Sequence, residues 1–115
     1  MLDEITQKLK EIDPRVYYAM VDTTDEEMLW NYIVFNRTKF RATGNKTGYA
    51  DGYDVHIVRE NFIPEEIDIE VIAKMESIHG LKLANEDGNY DYLRKPNTNT
   101  VVEILHLHFV RARKC

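Results

Sequence analysis

Two histidines at alternate positions of one apolar stretch offer the clearest chemistry in this chain. His106 and His108 stand two apart in Ile104-Leu105-His106-Leu107-His108-Phe109. Side chains alternate across a strand, so both imidazoles point the same way, a spacing that can chelate a metal ion. His56, in Tyr53-Asp54-Val55-His56-Ile57-Val58, supplies a third ligand if the two strands are neighbours. Against this, no carboxylate is fixed beside them by sequence, and histidines on a half-exposed strand face are common. The expectation is a chain without a catalytic residue, a bound cofactor or a metal, with His56, His106 and His108 as the only metal candidates.

Other catalytic signatures are missing. Thr43-Gly44-Asn45-Lys46-Thr47-Gly48 has neither the spacing nor the strand-to-helix context of a phosphate-cradling loop. No Gly-x-Ser-x-Gly elbow occurs, and Ser77, the only serine, falls inside an expected helix. Glu65, Glu66, Asp68 and Glu70 crowd one helix start, where the helix dipole favours acids without any acid–base role. Tyr17, Tyr18, Trp30, Tyr32, Phe35 and Tyr53 could stack on bases, but the chain carries a net charge of −5, and packing is the better default.

A chain of 115 residues makes one domain, 1–115, and is long enough to bury a core without staples. Its 43% hydrophobic and 30% charged residues are those of a globular protein rather than a disordered one. No apolar run approaches a membrane span, and Met1 to Ile12 carries charges throughout instead of a signal core, so we expect the chain to stay in the cytoplasm. Acids spread over Asp25–Glu27, Glu65–Glu70 and Glu86–Asp91 argue against nucleic acid as the main partner; the basic end Arg111-Ala112-Arg113-Lys114 reads as a solvated tail. Cys115, the single cysteine, forms no internal disulfide and fits a reducing compartment.

The elements that must position these residues follow from periodicity. Leu2, Ile5, Leu9 and Ile12 recur at steps of three and four, predicting a helix over 2–12 that Pro14 ends. Arg15–Val21 alternates as a strand, Asp22–Asp25 turns, and Leu29–Thr38 is a second strand. Lys39–Gly48 is then polar, with Phe40 its only large apolar residue, and reads as a mobile loop longer than a hairpin needs. Lys39, Phe40, Arg41, Asn45, Lys46 and Tyr49 are its candidate partner contacts. Tyr49–Glu60 is a third strand, with Gly52 a candidate bulge. Residues 64–79 form the second helix, with Pro64 in its first turn, a stripe of Ile67, Val71, Met75 and Ile78, and Gly80 just past its end. Leu81–Ala84 is short, Asn85–Asn89 turns, Tyr90–Leu93 is a brief strand, Pro96–Asn99 turns again, and Thr100–Arg113 is a long last strand.

That last strand places Leu105, Leu107 and Phe109 on one face and Ile104, His106, His108 and Val110 on the other. So little charge along its middle puts it inside the sheet, with helices on the Leu/Phe side. The fold expected is α+β: a mostly antiparallel sheet of four to five strands with both helices on one face, in the order helix, strand, strand, loop, strand, helix, strand, strand. The other face should carry tyrosines, histidines and partners of Trp30 or Phe35, a patch suited to an interface.

This order of elements resembles the small tail-completion, or tail-terminator, proteins that form the tail-to-head joint of long-tailed bacteriophages. The likeness rests on the N-terminal helix, the strands Arg15–Val21, Trp30–Phe35 and Tyr53–Val58, the helix of Ile67, Val71, Ile72 and Met75, and the ending Leu105–Phe109. It implies a structural role without enzyme activity in a phage or prophage. Such proteins cap the tail tube as a ring, commonly of six copies, and meet tail-tube and head-connector proteins, moving from host cytoplasm into the virion. The loop Lys39–Gly48 would reach a neighbouring subunit or the tube. Asn85–Asn89 and Arg111–Lys114 have no counterpart in the resemblance. Two rival functions stand beside it: a small metal-dependent enzyme built on the three histidines, and a cytoplasmic adaptor binding a peptide along a sheet edge.

Overall fold

The computed structural model describes residues 1–19, 31–42, 48–84, 88–95 and 98–114, by their backbone alone along 39–42, 48–50 and 112–114. Two helices, α1 (Leu2–Lys10) and α2 (Ile67–Glu76), pack against a six-stranded sheet. Its strands are β1 (Val16–Tyr18), β2 (Tyr32–Ala42), β3 (Gly48–Glu60), β4 (Leu81–Leu83), β5 (Asn89–Arg94) and β6 (Val101–Lys114). The order across the sheet is β1-β2-β3-β6-β4, with β5 on the same side of β6 as β4. The α+β class, the mostly antiparallel sheet and the interior place of the last strand are as expected. Six strands form instead of four or five because Tyr90–Leu93 lies within a full strand along β6.

Alternation decides which face each residue takes. Ile33 and Phe35 of β2, Tyr53, Val55 and Ile57 of β3, and Leu105, Leu107 and Phe109 of β6 all turn toward the helices, where they meet Ile5 and Leu9 of α1 and Val71, Met75 and Ile78 after them in one core. Phe35 and Phe109 are fully enclosed. Neither helix contributes to the opposite face, where Tyr32, Val58 and Val102 form a smaller cluster with Tyr17, Val34 and Ile104.

Four expectations change. β1 runs parallel to β2, pairing Val16 with Ile33 and Tyr18 with Phe35. Ala19 leaves the strand with φ +65°, and the stretch to Asn31 is long enough for the crossover that a parallel pair needs; residues 20–30, where a turn and the start of β2 were expected, lie outside the described residues. The polar loop is shorter than read, since β2 runs to Ala42 and β3 starts at Gly48, leaving 43–47 outside the described residues. The bulge falls in β2 between Arg37 and Phe40, whereas Gly52 pairs regularly with Val110. Finally, α2 begins at Ile67 because Glu66 takes a left-handed φ of 83°, which a helix cannot extend through, and it closes at Glu76, with Gly80 at φ +84° ending the turn that follows.

One polar contact fixes the first helix to the sheet. Asp13 accepts the backbone N–H of Arg15 at 2.9 Å, the turn that Pro14 invites, and pairs with Arg59 of β3 at 2.8 Å. Both side chains are nearly buried, and Arg59 also donates to the carbonyls of Val58 and Tyr32.

Candidate functional site

On the helix-free face, the antiparallel register sets His56 of β3 directly beside His106 of β6, and Asp54 beside His108. Asn36 of β2 lines up with Asp54, and Asn89 of β5 with His106. The result is a polar network across four strands. His108 Nδ1 lies 2.7 Å from Asp54 Oδ1, His106 Nε2 lies 2.7 Å from Asp91 Oδ2, and His56 Nε2 lies 3.3 Å from Asn36 Oδ1. The two imidazoles of His56 and His106 meet at their Nδ1 atoms, 2.6 Å apart, with the rings nearly perpendicular at 79°.

Proton bookkeeping assigns the network. Asn36 Nδ2 donates to the Arg37 carbonyl, which leaves its Oδ1 to accept His56 Nε2–H. His56 Nδ1 is then the bare nitrogen that faces His106 Nδ1, and His106 Nε2 faces the Asp91 carboxylate. The surroundings disfavour a proton on that bare nitrogen: burial first, and then the neighbouring His106, push His56 below the ordinary histidine value, against the opposing pull of Asp54.

The network is reachable from solvent. β4 ends at Leu83 opposite Phe109, and β5 starts at Asn89 opposite His106. Asp54, His56, Asn89, Asp91, His106, Leu107 and His108 line an open depression of about 380 Å³. His106, His108 and Asp54 each keep about a third of their side-chain surface in water.

The structure therefore brings all three sequence-predicted histidines to one place but does not turn them onto a common point. Among the described residues, no group of three or more His, Cys, Asp or Glu side chains is arranged to hold an ion. What the sequence reading missed were the carboxylates. Asp54-x-His56 and His106-x-His108 are two alternating pairs that an antiparallel register matches acid to base, so Asp54 was findable; Asp91 was not, because it arrives only through the β5 pairing.

The candidate contact residues fare differently. Phe40 and Arg41 pair with Asp51 and Ala50 inside the ladder, Lys39 sits in the bulged part of β2, and Tyr49 joins Ala42 to Arg113 across β3. Asn45 and Lys46 lie outside the described residues. A second exposed surface went unforeseen. Every residue of β5 is exposed, Tyr92 at 63% and Tyr90 at 48%, and β5 pairs only with β6 among the described strands. Phe62 and Val101 are exposed near its end, where Asn61 N–H donates to the Val101 carbonyl.

No family model matches this chain, and no curated protein matches it. No described helix is long and apolar enough to cross a membrane.

Proposed function

We propose that this chain is a structural assembly protein of the phage tail-completion kind, which closes the tail and joins it to the head connector as a ring of identical copies. The observation that carries the reading is the outer edge of β5, an exposed strand bearing Tyr90, Tyr92 and Leu93 with no described neighbour beyond it. Exposed strand edges are natural templates for another chain, and natural proteins usually guard them with charge. At the opposite side of the sheet, β1 pairs only with β2 among the described strands. Two different edges on one subunit favour head-to-tail contacts, which give rings where the rotation closes.

The long strands support the same role. β3 and β6 run on past the buried Tyr53 and Phe109, to Gly48 and Lys114. The molecule is accordingly drawn out to 51 × 26 × 22 Å. That sheet extension carries Lys39, Phe40, Arg41 and Tyr49, and it suits contact with a tail-tube or connector protein.

The test is electron microscopy of the purified chain mixed with the tail tubes encoded beside its gene. Rings capping the tubes, lost in a folded Tyr90→Lys/Tyr92→Lys variant, are the expected result. Bare tubes, or capping that survives both lysines, would refute the edge as the contact.

A further inference from the structure

We infer that His56 and His106 form a two-imidazole site for a borderline divalent transition ion such as zinc or nickel, the ion lying between their Nδ1 atoms. Three observations converge on that point. The two Nδ1 atoms face each other across adjacent strands at 2.6 Å, so their lone pairs address one position.

Each ring is also held from behind in the way metal-bound histidines are. His106 Nε2 is held by the Asp91 carboxylate and His56 donates Nε2–H to the Asn36 amide oxygen, so each ring is anchored through Nε2 and turns Nδ1 toward the other. Finally, both histidines line the open depression, so an ion can enter and water can complete its shell. Asp54 and His108 line the same depression but are bonded to each other at 2.7 Å, which leaves two protein ligands.

The geometry needs a small adjustment. Zinc–nitrogen bonds of about 2.0–2.1 Å at a tetrahedral angle separate the two nitrogens by about 3.3 Å. Rotation of the half-buried rings supplies the widening. Binding replaces the Nδ1···Nδ1 contact with two N–metal bonds, and any proton of that contact passes to the buffer. The ligands are imidazoles and water alone, so the site does not depend on the assembly role.

The test uses the full chain carrying Cys115→Ser, which removes the one thiol that would compete. Zinc is titrated by calorimetry in two buffers of different ionisation enthalpy, with the imidazole resonances followed by NMR. One equivalent should bind, with His56 and His106 shifting together and His79 and His108 unmoved. His56→Asn and His106→Asn should each weaken binding at least tenfold, and His108→Asn less than twofold. Stoichiometric zinc that leaves the His56 and His106 resonances in place, or binding that survives both substitutions, overturns the site; the NMR arm decides even if a variant fails to fold.

Discussion

Asp13 offers the sharpest test of how the helical layer is fixed to the sheet. Replacing it with alanine strands the Arg59 guanidinium, only 11% exposed, with two carbonyls and no counter-charge, and removes the acceptor of the Arg15 N–H. Breaking a nearly buried ion pair from one side costs about 3–5 kcal/mol, mostly from the cation left behind. For 115 residues at about 2.1 cal/mol/K each, 1 kcal/mol moves Tm by about 4 °C, so Asp13→Ala should melt about 12–20 °C lower. Asp13→Ala combined with Arg59→Met should recover much of that loss, because it removes the orphaned charge together with its partner. Thermal melts of the four proteins of this cycle measure the coupling, expected at about 2 kcal/mol or more. A fall below about 4 °C for Asp13→Ala, or strictly additive effects, would refute the view that this pair clamps α1 to β3.

Three further outcomes follow from the same structure. His56 has its proton affinity lowered on folding, so in metal-free protein the unfolded chain protonates first as pH falls: stability should be intact above about 6.5 and decline below it, a slope that His56→Gln should reduce in melts across pH 5–8. Phe109→Ala empties a fully buried position at the centre of the sheet and should cost about 3–5 kcal/mol in urea unfolding, whereas Tyr92→Ala at the exposed edge should cost under about 1 kcal/mol. Gly80→Ala meets only the Arg111 side chain at 3.5 Å, so its cost, about 1 kcal/mol, should come from the left-handed φ of +84° alone; a neutral result would show that the turn relaxes.

What could be read from sequence was whatever a single strand or helix determines by itself. Alternation alone placed Leu105, Leu107 and Phe109 against the helices and His106 and His108 away from them, because burial on one side forces the register. The start of α2 was misplaced since Pro64 and the following acids satisfy every local rule for a helix start; only the backbone turn at Glu66 delays it. The direction of β1 was misjudged for a similar reason. A turn signal predicts a reversal, but a connection of that length also permits a crossover.

The site depends on pairing, and pairing is where local signals end. Two alternating stretches become a network only when β3 and β6 align His56 with His106, and the same alignment that sets Asp54 on His108 makes the four residues a single unit. β5 starts at Asn89 opposite His106 and runs on as a fully exposed strand, so the imidazole row and that strand lie against the same stretch of β6. Asp91 belongs to both, because it sits on the exposed strand and contacts His106 at 2.7 Å.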